Sequence, residues 1–184
     1  MKKLEFQSQI FAILIMAMLL LASCSSSSAQ KEGAPEIDLQ TAVITDNTEA
    51  VKQHIAAGSD LNERDPFGGS SPLITAAIFG KKDMAVLLLD AGADINFQNN
   101  DGSTALISAA FFGRPEIVQL LLERNADKTI KNKYGTTAYD NVAVPFADVK
   151  EVYDIMSGML EPMGLKLDYT YLEKIRPEIA KMLS

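Results

Sequence analysis

The sequence predicts an all-α solenoid of about four helix-turn-helix repeats, and three observations support this prediction. A segment of ten residues recurs at an offset of 33, so that 71–80 has the same pattern as 104–113. A leucine-rich segment follows each copy at the same offset, at 83–89 and at 116–122. Glycine follows the predicted helices, as is common where a helix ends. Because no single repeat can cover its own apolar face, the copies are expected to stack side by side.

The N-terminal residues 1–23 have the pattern of a signal peptide. A short basic start precedes an apolar run of 13 residues at 10–22, which is shorter than the roughly 20 residues of a membrane-spanning helix. The run ends in a motif that resembles the bacterial lipobox, Leu21-Ala22-Ser23-Cys24. The resemblance implies cleavage before Cys24 and attachment of lipid to Cys24. An ordinary secretory signal with an incidental cysteine is the alternative.

Residues 24–36 are expected to form the lipidated cysteine and a flexible tether. The segment is serine-rich and too polar to bury a core. Cys24 is the only cysteine, so the chain could form no internal disulfide in an oxidising compartment. The predicted location is therefore the bacterial cell envelope, with a lipid anchor. Because Ser25 rather than aspartate follows the cysteine, the resemblance implies the outer membrane, facing the periplasm, in a Gram-negative host.

Four repeats are predicted between residues 37 and 158. Ser71-Pro72 and Thr104 suit helix starts, since a hydroxyl oxygen caps free amides and proline needs no N–H partner there. Gly80 and Gly113 suit helix ends, because glycine adopts left-handed geometry at low cost. The predicted boundaries are about 37–67, 68–100, 101–133 and 134–158.

The C-terminal part departs from the regular pattern. An amphipathic helix is expected at about 147–158 as the second helix of repeat four, because its apolar residues have helical spacing. Residues 159–184 are predicted to form a helical cap. A degenerate fifth repeat is the alternative, since 176–183 echoes 114–121.

The repeated segments resemble the ankyrin repeat, whose pattern runs Gly-x-Thr-Pro-Leu-His-x-Ala-Ala, then a leucine-rich helix, then Gly-Ala-Asp-x-Asn. The residues that carry the resemblance lie at 71–77 and 91–96, and it covers about 37–158. Two departures are Ile74 and Ile107 in place of the usual histidine, and one extra residue before Gly69. The resemblance implies a protein-binding module with hairpin-like finger loops and a concave groove.

The candidate binding residues follow from this resemblance. It implies that the two variable positions before the helix-ending glycine face the groove, and here each pair is apolar. Exposed phenylalanine pairs are costly in water and indicate a contact patch, although one member of each pair could instead pack between helices. Aromatic residues in the finger loops complete the candidate set: Phe67, Ile78, Phe79, Phe97, Phe111, Phe112 and Tyr134.

The sequence contains few of the residues and motifs on which catalytic and metal sites depend. His54 is the only histidine, and it aligns with Leu88 and Leu121 at positions turned towards the core. Zinc sites need several cysteine or histidine ligands, and no glycine-rich phosphate loop is present. We therefore predict no catalytic residues, no metal site and no cofactor; a carboxylate pair such as Asp60 and Asp65 leaves a hydrolase as a remote alternative.

Charge narrows the class of partner. The net charge of −7 argues against nucleic acid, whose phosphates are bound by clustered lysine and arginine. We expect a monomeric, lipid-tethered module whose protein partner carries a basic patch. It would act as an inhibitor or immunity protein, or as a protective factor, for an envelope enzyme. The alternative is a structural lipoprotein that binds peptidoglycan, which predicts polar groups and sugar-stacking aromatic residues in the groove.

Overall fold

The computed structural model describes residues 35–184, and the regular structure in this range is entirely helical. The signal peptide, the lipobox with Cys24 and nearly all of the tether lie outside the described residues. Within 35–184 no helix is long and apolar enough to span a membrane. The helices are α1 (Leu39–Ile44), α2 (Thr48–Ala56), α3 (Pro72–Phe79), α4 (Lys82–Asp90), α5 (Ala105–Phe111), α6 (Pro115–Glu123), α7 (Ala138–Ala143), α8 (Phe146–Leu160) and α9 (Tyr169–Leu183), with a 3₁₀ turn at Glu161–Met163.

The helices stack in two rows, which confirms the predicted all-α solenoid. The first helices of the repeats, α1, α3, α5 and α7, pack side by side in one row. The second row contains α2, α4, α6 and α9. Each first helix also packs against the second helix of its own repeat, so the core runs between the rows.

Local sequence explains why the first row is tight. Ser71, Thr104 and Thr137 cap α3, α5 and α7, each accepting a hydrogen bond from the backbone N–H three residues on. In α3, Ala76 and Ala77 are fully buried. Small side chains at these positions let neighbouring helices approach closely, and the larger side chains beside them supply the apolar core.

Repeat four is completed by a different segment from the one expected. The predicted helix at 147–158 exists as α8, but it is an insertion, and α9 takes the place of the second helix. Ile179 and Leu183 lie 62 residues after Ile117 and Leu121, and all four belong to the same buried core. The predicted C-terminal helix within 159–184 is thus present as α9, and it packs as the closing helix of repeat four.

The reason lies in how much apolar surface each helix can bury. A second-row helix must fit between neighbours, and α9 buries Leu172, Ile179 and Leu183. In contrast, α8 buries only Tyr153 and is charged or exposed around much of its circumference. The apolar spacing of 147–158 predicts an amphipathic helix. Spacing alone does not show how much of the helix surface other elements cover.

Candidate functional site

The loops that join successive repeats are tight turns closed by a side-chain oxygen. We call residues 62–70, 96–103 and 129–136 the first, second and third fingers. In the first, Asp65 Oδ1 accepts hydrogen bonds from the backbone N–H groups of Phe67 (2.7 Å) and Gly68 (2.8 Å). Asn99 and Asn132 close the other two fingers in the same way. No strand occurs among residues 35–184, so the hairpin-like loops are turns without strands.

The carboxyl group of Asp65 is held in its charged form. Burial by itself raises its pKa. Hydrogen bonds from the backbone N–H groups of Gly68, Phe67 and Ser70 together lower the pKa by more, so that it lies below its ordinary value of 3.8. The charged side chain therefore fixes the tip of the first finger at neutral pH.

Hydrogen bonds tie the fingers to one another. The backbone N–H of Asn100 donates to the carbonyl of Gly68 (2.9 Å), and one repeat later that of Lys133 donates to Asp101 (2.8 Å). A side-chain bond also recurs, since Asn62 and Asn96 each accept from the backbone N–H 32 and 31 residues on, at 2.9 Å. The fingers therefore form one connected edge rather than independent loops.

Arg64 strengthens the junction between the first and second fingers. Its guanidinium donates to Gln98 O (3.0 Å) and Asn100 Oδ1 (3.3 Å), and lies 4.6 Å from the centre of the Phe97 ring. Phe97 is partly buried and packs against the core. It is therefore a supporting residue of this edge more than an exposed anchor.

Two of the predicted binding residues are presented at the finger tips. Phe67 is 89% exposed and Tyr134 is 75% exposed. The backbone N–H of each donates to the side chain that closes its finger, Asp65 or Asn132. Large aromatic side chains are thus displayed on loops whose backbone is already ordered.

The two apolar pairs do not form one open patch. Phe112 is 4% exposed, so its prediction as a binding residue is wrong; its ring packs edge-on against Phe111, with centroids 5.1 Å apart. Phe111 is half-buried beneath Tyr153 of α8, whose ring stacks on it at 4.4 Å. Helical geometry turns one member of the pair inward, and the insertion covers the other.

Ile78 and Phe79 are both partly buried. Ile78 packs against the core, and its carbonyl accepts hydrogen bonds from the Arg114 guanidinium at 3.2 and 3.3 Å. Phe79 lines an open cleft of about 270 Å³, together with residues that include Arg114 and Tyr171. Of the predicted groove residues, Phe79 is thus the one that lines this cleft.

A buried arginine that is absent from the predicted site residues anchors the insertion. Arg176 of α9 is 1% exposed; its guanidinium donates to the Tyr153 hydroxyl (2.8 Å) and to Val144 O (2.9 Å). Burial raises the pKa of Tyr153 more than Arg176 lowers it, so the phenol keeps its proton and donates to Phe111 O (2.6 Å). The sequence feature that points to Arg176 is the match of 176–179 to 114–117. Arg114 also donates to a backbone carbonyl at the end of a first-row helix, that of Ile78.

His54 has a structural role in the first repeat. It is buried, with Nε2 2.8 Å from Ile37 O and Nδ1 3.0 Å from Ser59 Oγ. A carbonyl can only accept, so Nε2 carries a proton and donates to Ile37 O. Both ring nitrogens are thus engaged in holding the N-terminal segment and the turn after α2.

Comparison with known proteins identifies the repeat. Residues 39–132, half of the chain, match the sequence model of the family described as Ankyrin repeats (3 copies). Protein phosphatase 1 regulatory subunit 27 of Homo sapiens is 39% identical over 64 residues, which are 35% of this chain and 41% of that protein. The same protein of Mus musculus matches with the same figures.

A solved structure of an ankyrin repeat domain is also similar to this chain. The crystal structure of the ankyrin repeat domain of Bcl-3, of the IkappaB protein family, aligns with a TM-score of 0.56 and 33% identity. The alignment covers 66% of this chain and 55% of that one. The chain therefore spans less than two thirds of each of these relatives.

Proposed function

Since the chain belongs to the ankyrin-repeat family, we propose that it is a non-catalytic module that binds a protein partner through its finger edge. The name of one relative describes a regulatory subunit of a phosphatase, which supports an enzyme as the kind of partner. The single observation that carries the proposal is the exposure of Phe67 and Tyr134 on fingers with an ordered backbone.

Binding at the finger tips requires little new ordering of the backbone. An aromatic side chain can bury about 150–250 Å² on binding, and a few such anchors supply most of the energy of an interface. Much of the usual cost of a binding loop is the loss of backbone freedom. Here the bonds from Phe67 and Tyr134 to their closing side chains have already fixed that backbone.

The cellular context is also proposed. Lipid on Cys24 would hold the module in the bacterial envelope, where it would inhibit or protect an enzyme that presents a basic patch. The support is the pattern of residues 1–24 and the net charge of −7. Metabolic labelling with an alkyne fatty acid should mark the wild type and not Cys24→Ser. Equal labelling of both, or of neither, would show that Cys24 does not carry the lipid anchor.

Affinity capture from envelope extract tests the binding proposal. We compare the wild type with the double substitution Phe67→Ser and Tyr134→Ser. Tyr139→Ser is the matched control, because Tyr139 is an exposed aromatic residue on α7 and not on a finger. At about 1–2 kcal/mol for each anchor, the double variant should bind at least tenfold more weakly.

The control separates binding from folding. All three proteins should unfold at the same urea concentration, because neither the two tip residues nor Tyr139 belong to the core. If the double variant captures the same proteins in the same amounts as the wild type, the finger edge is not the binding surface.

A further inference from the structure

The inserted helix α8 carries an exposed apolar row. Val152, Ile155 and Met159 have the spacing i, i+3 and i+7, and Met163 of the 3₁₀ turn continues the row. Their exposed fractions are 46%, 59%, 65% and 42%. We call these four residues the outer stripe.

The outer stripe faces away from the solenoid. Successive helical residues are turned by about 100°, so Ile155 lies roughly opposite the buried Tyr153, which holds α8 to the body of the protein. On the attached side, Phe146 stacks with Tyr153 at 5.4 Å, and Tyr169 donates to Asp154 at 2.8 Å. Contacts within the described chain therefore leave the outer stripe uncovered.

The attached face of α8 covers Phe111 through Tyr153, but its opposite face covers nothing in the described chain. Because α9 closes repeat four, the outer face of α8 is not needed to complete the array. The exposed side-chain area of the outer stripe is on the order of 400 Å², a size at which surface patches are often functional.

Charge indicates what could cover the stripe. By the same rotation Asp148 and Glu151 lie beside it, and both are exposed. Neither takes part in an ion pair within residues 35–184. The lysine on α8, Lys150, is engaged with Asp154 at 2.9 Å. The rim is therefore acidic, which disfavours a second copy of the chain and an anionic lipid surface.

We propose that the outer stripe binds a basic amphipathic helix of a partner protein. Residues spaced i, i+3 and i+7 are the usual anchors when two apolar helix faces pack together. Lysine or arginine bordering the partner's apolar face would pair with the carboxylates of Asp148 and Glu151. This second surface does not depend on the finger edge.

Fluorescence gives a direct test, because the chain contains no tryptophan. The probe is a 14-residue amphipathic peptide of leucine and lysine with one tryptophan, titrated with the full chain. A matched peptide with glutamate in place of lysine tests the charge requirement. The stripe variant is Ile155→Ser with Met159→Ser, and Phe67→Ser with Tyr134→Ser is the control.

We expect the lysine peptide to bind the wild type and the finger variant equally, and the stripe variant at least tenfold more weakly. The glutamate peptide should not bind. Equal binding of the lysine peptide to the stripe variant, no binding to the wild type, or equal binding of the glutamate peptide would each overturn the proposal.

Two further measurements address other occupants of the stripe. In sedimentation, the wild type should remain monomeric, and a dimer lost in the stripe variant would assign the surface to a second copy instead. Stripe-dependent binding to phosphatidylcholine vesicles would assign it to lipid, and would equally overturn the proposal.

Discussion

Gly113 lies where α9 docks on the end of α5, and its replacement by alanine should weaken that contact. Its φ is +65°, and an added Cβ would lie 2.8 Å from Leu172 Cδ2 and 3.0 Å from Ile175 Cγ2. Both atoms belong to α9. The substitution therefore combines backbone strain with a clash at the seam that completes repeat four.

The two contributions can be estimated separately. A left-handed backbone costs a residue with a Cβ about 1–2 kcal/mol, and overpacking costs about 1–3 kcal/mol. Because the nearest atom is the end of a leucine side chain, which can rotate, the clash should lie near the lower limit. We expect Gly113→Ala to destabilise the protein by about 2–3 kcal/mol.

Gly135→Ala is the matched control. Gly135 has a φ of +76° and no atom within 4 Å of an added Cβ, so it carries the strain alone, about 1–2 kcal/mol. Urea unfolding measures both costs, and hydrogen exchange should show faster amide exchange in α9 for Gly113→Ala only. Equal costs for the two variants, or unchanged exchange in α9, would refute the proposed seam.

Three other substitutions test the site. Asp65→Asn should remove the pH dependence of the stability of the first finger. The pKa of Asp65 is depressed in the folded protein, so the charged carboxylate stabilises the finger at neutral pH. In the wild type, hydrogen exchange should show this stabilisation being lost as the pH falls below about 4. His54→Ala should cost about 1–3 kcal/mol in urea unfolding, because it removes a buried side chain and leaves two partly buried partners unpaired. Partner capture per folded molecule should stay unchanged; reduced capture would indicate a role in binding. Tyr153→Phe should cost about 2–3 kcal/mol, because it leaves one nitrogen of the buried Arg176 without its acceptor; a cost near zero would show that this bond does not hold α8.

The regular repeats could be predicted because their sequence signals are local and recur. The caps at Ser71 and Thr104, the left-handed Gly80 and the buried alanine pairs each depend on residues within one turn of a helix. An offset of 33 residues then indicates which elements are neighbours. The finger tips Phe67 and Tyr134 could be found for the same reason, since their exposure follows from their position in a turn.

The end of the array could not be predicted, because it depends on contacts between distant segments. Both α8 and α9 have helical apolar spacing, and spacing alone does not show which of them buries more surface. The echo of Arg114 at Arg176 indicated α9, but it lies 62 residues away and outside the 33-residue period. The burial of Phe111 beneath Tyr153 is a consequence of the same insertion.

Photo-crosslinking in living cells tests the central claim most directly. Benzoylphenylalanine placed at Phe67 or at Tyr134 should form an adduct with the same protein, because both finger tips belong to one binding edge. The same group at Gln119, which is exposed on the second helix α6, should form no such adduct. Adducts absent at both tips, or identical from Gln119, would contradict a binding function of the finger edge.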